Sequence, residues 1–488
     1  MKKVKILFSL SAIILCLCIF SSCGDEKNPL NTGDIDSSVS GSKSEEKLGV
    51  PESEDFGGET FSILTAGNVA YEDFTFDEES SLALENAQYK RKKLVEQSYH
   101  IVIEETVKKS NSFGGGPGFI QISTDVNAGD CNFDLALIAG YDVSVLAYSG
   151  FLYDLNSVPG IDLSKSWWDQ RANESLSVND VMFFTTGDIT TSDNQYAYVI
   201  LFNKELREAY NLENPYQLVY DNKWTMDKFA ELCKTVTEDL NQDGLMDIND
   251  RFGVMVWDDA VMGIVNAAGQ RCCTIAEDGM IELTLYNETT IEALEKFFDI
   301  AYDTQYAITY QRLTNKPATM WKNNQGLFWM TTMQNVPMLR EMESDFGVLP
   351  YPKLSETQDS YHSTLSSYNS QFICVPLIQN DLVRTGIITE ALAYHGKQIV
   401  SPAYYDVNLV GQSTRDEESK DMLDIIFDTL VFDIGYFYQV GKYNEQLMNL
   451  VRSYDTSFTS MYETNKAAAQ SLLDRINEAY QIAVSEWK

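Results

Sequence analysis

Histidine and cysteine are scarce in this 488-residue chain, at 3 and 8 copies, and Lys plus Arg number 36 against 72 Asp plus Glu. Each shortage excludes something. His100, His362 and His395 stand in no metal-ligating or nucleophile-activating motif, and no G-x-S-x-G elbow occurs. Cys16, Cys18 and Cys23 lie at the N-terminus, which leaves Cys131, Cys233, Cys272, Cys273 and Cys374. An odd number without metal-type spacing is neither a disulfide framework nor a zinc site. Cys131, Cys233 and Cys374 have apolar surroundings and read as buried thiols, whereas the adjacent pair Cys272 and Cys273 has no explanation in the sequence. A formal net charge of −36 offers no basic surface to nucleic acid or anionic lipid. Composition does leave a glycan hydrolase open, since that chemistry needs only two carboxylates at a set separation.

Long apolar runs are missing too, with one exception. Lys2, Lys3 and Lys5 precede an almost unbroken apolar run from Ile6 to Phe20. The run is short for a bilayer-spanning helix of about 20 residues, and it has the length and basic flank of a signal-peptide core. Ser21 and Ser22 then lead into Cys23, an arrangement that resembles the lipobox of bacterial lipoproteins, with Phe20 where that motif usually has Leu. The resemblance implies a leader over 1–22 and acylation of Cys23. More than one acyl chain is needed for stable anchoring. An ordinary cleaved signal peptide, or an uncleaved anchor, is the alternative. Residues 23–57 are rich in Ser, Gly, Asp, Glu and Asn and cannot bury enough apolar surface to order themselves, so a flexible tether is expected there. The protein is thus expected on the extracellular side of the cell membrane, held by its lipid.

The remaining body of about 430 residues is large enough for two lobes. Strand-like and helix-like stretches alternate along it, the signature of an α/β architecture. Strands are expected at Phe61–Leu64, His100–Glu104, Asp134–Ala139, Val181–Phe184 and Tyr198–Phe202. The continuous apolar runs among them suit a sheet covered on both faces. Helices are expected from Leu82 to Gln97, after Thr225 as N-cap, along Ile291, Leu294, Phe298, Ala301 and Tyr302, and through the C-terminal stripe from Leu472 to Trp487. The glycine cluster Gly114–Gly118 lacks the Lys-Ser/Thr of a phosphate-cradling loop and reads as a mobile surface loop.

The sharpest local motif runs from Asp239 to Asp250. Asp239, Asn241, Asp243, Asp247 and Asp250 take the oxygen-donor positions of a calcium loop, Gly244 the sharp turn, and Leu245 the position that offers its carbonyl. A structural Ca²⁺ is expected. Asp250 stands where the loop usually has a longer glutamate. The alternative is a turn of Asp and Asn side chains bonded to their own backbone. A dockerin would need a second such loop.

Several blocks in order resemble the extracellular solute-binding proteins of ABC importers, the large family that includes maltose-binding protein. They are Asn86–Arg91, Phe133–Ala136 with Gly150–Leu155, Phe202–Leu206 with Lys223–Asp227, and Phe346–Pro352. The resemblance covers the body from about Phe56 onward. It implies a two-lobed, periplasmic-binding-protein-like α/β fold of type II, with lobe 1 at 58–190 plus 350–400 and lobe 2 at 191–349 plus 401–488. Hinge crossings fall near 187–194, 350–353 and 396–404, and a ligand cleft lies between the lobes. It further implies a binder rather than an enzyme, acting as a monomer on a mono- or oligosaccharide with a membrane permease as partner. A surface hydrolase, or a sensor presenting its solute to a signalling partner, is the alternative.

Sugar rings need flat apolar faces and planar polar groups, and ligands of open α/β sheets sit beyond the carboxyl ends of strands. On those grounds Asp188, Trp257, Asp258, Trp167, Trp168, Trp329 and Tyr368 are the candidate ligand residues.

Overall fold

The computed structural model describes residues 46–69, 72–110, 113–313, 316–339, 342–378, 380–405 and 417–487. The expected leader, Cys23 and most of the expected tether lie outside them. The end of that tether is not free. Glu54 and Phe56 donate their N–H groups to the carbonyls of Ser98 and Tyr99 at 3.2 and 3.0 Å. The Tyr99 hydroxyl donates to the Pro51 carbonyl at 2.5 Å, and Ser166 donates N–H and hydroxyl to Glu46 at 3.1 and 2.5 Å. Phe56 also stacks on Tyr99 with ring centroids 6.4 Å apart, so a few apolar and backbone contacts anchor a segment whose composition alone suggested a tether.

Numbered in chain order, the strands are β1 (Glu59–Gly67), β2 (Ile101–Lys109), β3 (Leu135–Ala139), β4 (Tyr198–Asn203), β5 (Phe252–Val256), β6 (Cys273–Ile275), β7 (Ile281–Leu283), β8 (Ala307–Thr309), β9 (Gly326–Thr332), β10 (Phe346–Leu349), β11 (Ser363–Thr364), β12 (Gln371–Cys374) and β13 (Leu430–Val431). They form two main sheets. The first has the order β12-β3-β1-β2, with β1 parallel to β2 and β3 and with β12 antiparallel to β3. The second has the order β10-β4-β9-β5-β8, with β5 parallel to β8 and β9 and with β4 antiparallel to β9 and β10. Small pairs β11–β13 and β6–β7 complete the set.

Burial explains the sequence pattern. Every residue of β3, β4, β5 and β9 is buried, so these strands show no polar alternation, as expected for strands covered on both faces. Thr225 caps the helix Met226–Cys233 by accepting from the Lys228 N–H at 3.3 Å, and Asn287 caps Glu288–Ala301 through the Thr290 N–H at 2.9 Å. Such caps satisfy N–H groups that the first helical turn leaves without partners. The C-terminal helix spans Phe458–Trp487, and its stripe of Leu473, Ile476, Tyr480 and Ala483 is buried. Val181–Phe184 is buried as its apolarity required, yet forms no strand. It is held by single bridges, Val178 to Val181 beside it and Thr185 to Ile373 on β12.

The chain leaves the first sheet through residues 187–197 to enter β4, and returns from β10 through residues 350–370 to β12. These passages carry the Leu365–Ala197 bridge and the residues that floor the space between the sheets.

Candidate ligand-binding cleft

Two adjoining cavities open where the carboxyl ends of strands from both sheets meet. One, of about 200 Å³, is lined by Trp257 after β5, Tyr310 after β8, Trp329, Thr331 and Thr332 on β9, Gln334, Asn335 and the passage residue Asn369. The other, of about 150 Å³, is lined by Phe113, by Tyr141 after β3, by Asp259, Tyr368 and Gln439, and by Asn444, Glu445, Met448 and Arg452 from the helix Tyr443–Ser453. Neighbouring residues divide between them. Trp257 faces the first and Asp259 the second; Asn369 faces the first and Tyr368 the second. The two cavities therefore lie side by side, and together they are the candidate cleft.

Aromatic faces and amides dominate the lining. Tyr368 packs against Phe113 and Tyr141, with ring centroids 5.0 and 5.7 Å apart, and Phe113 is 66% exposed. Trp257 leans on Tyr198 at 5.0 Å. Asn335 donates to the Thr331 hydroxyl at 2.7 Å, and Asn68, just past β1, donates to Asn369 at 3.3 Å. Asp258 is buried and accepts from Arg452 Nε at 2.5 Å. Asp259 heads the helix Ala260–Ala267 without making a cap bond; burial, then the adjacent Asp258 carboxylate, push it up to about 7. The glycine loop is pinned rather than loose, because Gly114 and Gly116 both donate N–H groups to Asp142 Oδ1, at 3.1 and 2.9 Å.

Of the residues expected from sequence, Trp257, Tyr368 and Trp329 line the cleft, and Asp258 stands behind its wall. Trp329 is 4% exposed and packs on Trp321 at 5.9 Å, so it offers an edge rather than a platform. Trp167, Trp168 and Asp188 belong elsewhere. Both indoles are 1% exposed and donate their N–H groups to Glu390, at 3.1 and 3.0 Å. Their rings are spent on Glu390, and their remaining edges border the same separate cavity as Asp188. Asp188 accepts from Ser401 and borders a separate cavity of about 350 Å³ with Asp169, Arg171 and Asp193. Sequence reasoning missed Tyr141, Asp259, Asn369, Glu445 and Arg452. Tyr141 follows a strand end and was within reach of the same rule that selected Trp257. Glu445 and Arg452 sit on a helix remote in sequence, with no local signal.

In the loop 239–250, Asp239 accepts from the N–H groups of Gln242 and Gly244 at 2.7 and 2.8 Å. Asp250 is buried and accepts from Leu240 and Asp247 at 3.0 and 2.8 Å. Asp250, expected to close a cation cage, ties the loop's ends through these bonds. Among the described residues no three His, Cys, Asp or Glu side chains are grouped as a metal site. The cysteines of the body are free, and Cys272 and Cys273 donate their backbone N–H groups to the buried Asp433, at 2.7 and 3.4 Å.

Residues 104–354 match the family model of the bacterial extracellular solute-binding proteins. The chain belongs to that family. No curated protein matches it in sequence. Solved solute-binding proteins share its two-lobed, type II fold over nearly their whole lengths. An ABC substrate-binding protein of Listeria monocytogenes in complex with cycloalternan is 15% identical, covers 87% of this chain and 99% of its own, and has a TM-score of 0.55. The GacH receptor of Streptomyces glaucescens, solved unliganded and with acarbose, gives 13%, 88%, 100% and 0.52. The maltose/maltodextrin-binding domain MalE of Bdellovibrio bacteriovorus, bound to maltotriose, gives 14%, 86%, 100% and 0.52. At these identities the likeness is one of fold. Like other extracellular solute-binding proteins, this one is built around a cleft, and no helix among its described residues is long and apolar enough to cross a membrane.

Proposed function

We propose that this solute-binding protein captures a carbohydrate in the interlobe cleft and delivers it, as a monomer, to an ABC permease, held at the outer face of the membrane by a lipid on Cys23. The observation that carries the sugar reading is the lining of the cleft. Exposed or half-buried rings of Trp257, Tyr310, Tyr368 and Phe113 supply flat apolar faces beside the amides of Gln334, Asn335 and Asn369. Such a surface matches a pyranose, which is apolar on its faces and hydroxylated at its rim. The fold neighbours bound to cycloalternan and maltotriose support the same reading.

Lobe closure over the sugar would be a hinge motion in the passages 187–197 and 350–370. A thermal-shift panel of mono- and oligosaccharides, peptides and amino acids tests the ligand class. A ligand present at 100 times its dissociation constant adds about 2.7 kcal/mol of stability. Peptides that raise the melting temperature where sugars do not would overturn the carbohydrate assignment, and turnover of a labelled oligosaccharide would overturn a pure binder. For the anchor, Cys23→Ser should release the protein from membranes into the medium.

Calcium at 239–250 is proposed in a narrower form than the spacing implied. Asn241, Asp243 and Asp247 with the Leu245 carbonyl would meet the ion, while Asp239 and Asp250 brace the loop.

A further inference from the structure

Phe113 is a large apolar ring that the fold leaves exposed, and it lines the second cavity beside Tyr141, Tyr368 and Gln439. Its ring plane lies 34° from that of Tyr368 and 37° from that of Tyr141, so the three rings meet as one aromatic corner. A phenylalanine at the head of a glycine-rich arm is ordinarily free to turn, because glycine leaves the backbone its widest choice of conformation. This arm is held.

The holder is Asp142, in the first turn of the helix Gly140–Tyr148 and next in the chain to Tyr141. Its side chain is buried, and its Oδ1 accepts from the N–H groups of Gly114 and Gly116 at 3.1 and 2.9 Å. Its Oδ2 is buried without a hydrogen-bond partner among the described residues. The hydrogen bonds that this carboxylate makes there go to the arm alone. Burying a charge is costly, and the amino end of the helix offsets part of that cost. Gly114 completes the seat. Its φ is +82°, and an added Cβ would stand 2.9 Å from Val145 Cγ2 and 3.2 Å from the Gln439 amide nitrogen, so the arm lies flush on the helix and on the wall of the cavity. A buried carboxylate bonded only to a surface arm does little for the core and fixes where that arm, and the ring at its head, can be.

We propose that Asp142 is a positioning residue of the solute site: by fixing the arm 113–116 it holds Phe113 in the aromatic corner, set to stack on the solute before it arrives. That a sugar face is what stacks there rests on the carbohydrate reading above. A ring already in place loses less freedom on binding than one the solute must order.

Two measurements on the folded chain test this. Hydrogen exchange of the peptide covering 113–118 reports the pin with no solute present. Asp142→Ala should speed it about ten-fold or more, while Asp142→Asn, which keeps an oxygen for the two N–H groups, should stay close to the parent. Titration with maltotriose reports the use of the ring. Phe113→Ala should weaken binding about five-fold or more and Asp142→Ala about three-fold or more, with Asp142→Asn restoring the parent affinity. In the Phe113→Ala background Asp142→Ala should cost nothing further, because positioning acts only through the ring; a merely structural role would add its loss in both backgrounds. Gly114→Ala, a change on the arm itself, should reproduce the exchange and affinity of Asp142→Ala, and it takes that variant's place if loss of the buried carboxylate prevents folding. Exchange unchanged by Asp142→Ala and Gly114→Ala, or maltotriose bound equally by the parent and Phe113→Ala, overturns the proposal and leaves the carbohydrate reading standing. Binding of trialanine and of neither maltotriose nor glucose overturns the carbohydrate reading and this proposal together.

Discussion

Arg452 Nε donates to Asp258 Oδ2 at 2.5 Å and so ties the helix Tyr443–Ser453 to the end of β5. The partners are unequally placed, because the Asp258 side chain is 3% exposed and that of Arg452 is 43% exposed. Removing the arginine strands a buried carboxylate whose other partner is a distant Gln311 amide at 3.5 Å. Arg452→Met is therefore expected to cost about 1–3 kcal/mol, the penalty of an unsatisfied buried group. Urea denaturation checks this. The double variant with Asp258→Asn should recover part of the loss, since the charge is then gone. A double variant no more stable than Arg452→Met would show that Asp258 is not the group left exposed to the loss.

The Trp167, Trp168 and Glu390 cluster makes the opposite prediction. These side chains hold the segment before the first hinge passage and line no part of the sugar cleft. Trp168→Phe removes one indole donor from a buried carboxylate that burial has raised to about 7. Stability should fall by about 1–3 kcal/mol, with sugar affinity unchanged. Tyr368→Ala should do the reverse, weakening sugar binding about five-fold or more through loss of an aromatic face worth about 1 kcal/mol or more, with little change in melting temperature. Titration calorimetry beside thermal melts separates the two. Affinity lost in Trp168→Phe without a fall in stability would return the tryptophan pair to the ligand site.

This contrast shows what the sequence could and could not disclose. Apolar runs such as Asp134–Ala139 and Tyr198–Phe202 were legible as covered strands because burial on both faces writes itself directly into composition. The caps Thr225 and Asn287 are likewise local. Exposure of a tryptophan is not local. Trp167 and Trp257 look alike in sequence, and the difference lies in Glu390, more than two hundred residues from Trp167. Glu445 and Arg452 reach the cleft from a helix that follows both lobes' sheets in the chain, and their role is set by the fold's return path rather than by any motif. Asp250 shows the same limit at short range. Its place in the spacing suggested a ligand, and only the fold shows that it also joins the Leu240 and Asp247 N–H groups.

Stability should fall as pH rises through neutrality, by way of the first hinge passage. Burial raises Asp188 to about 6; burial and the Asp169 carboxylate raise Asp193 to about 7. Around them stand Asp169, Arg171 paired to Asp169, Lys397, and the hydroxyls of Thr186 and Ser401. In the unfolded chain these carboxyls lose their protons near pH 4, so between that value and 7 the native state binds more protons than the unfolded one. Their contribution is fully present below about pH 4 and is lost as pH climbs through 6 to 7. Asp193→Asn keeps the shape and cannot ionise. Melting temperatures taken from pH 5 to pH 8 should decline less steeply for Asp193→Asn than for the parent chain. Parallel slopes would mean that Asp193 does not ionise in this range in the native state.

Calcium provides the last test, and the loop's own hydrogen bonds sharpen it. Asp239 and Asp250 spend both oxygens on backbone N–H groups, whereas Asp247 gives one oxygen to a backbone N–H at 2.8 Å, and Asp243 gives one to the Leu245 N–H at 2.8 Å and the other to the Asn241 amide at 3.0 Å. Extracellular calcium modules bind at about 10⁻⁴ to 10⁻³ M. At ten times such a dissociation constant, binding to the native state alone adds about 1.4 kcal/mol. Millimolar Ca²⁺ should therefore raise the melting temperature above that in EDTA, and Asp243→Ala should abolish the difference. Asp250→Ala should lower stability in Ca²⁺ and in EDTA alike, because what it removes is the brace between the Leu240 and Asp247 N–H groups rather than a ligand. Identical melts of the parent chain in Ca²⁺ and EDTA would leave a turn closed by its own carboxylates, with no role for the ion.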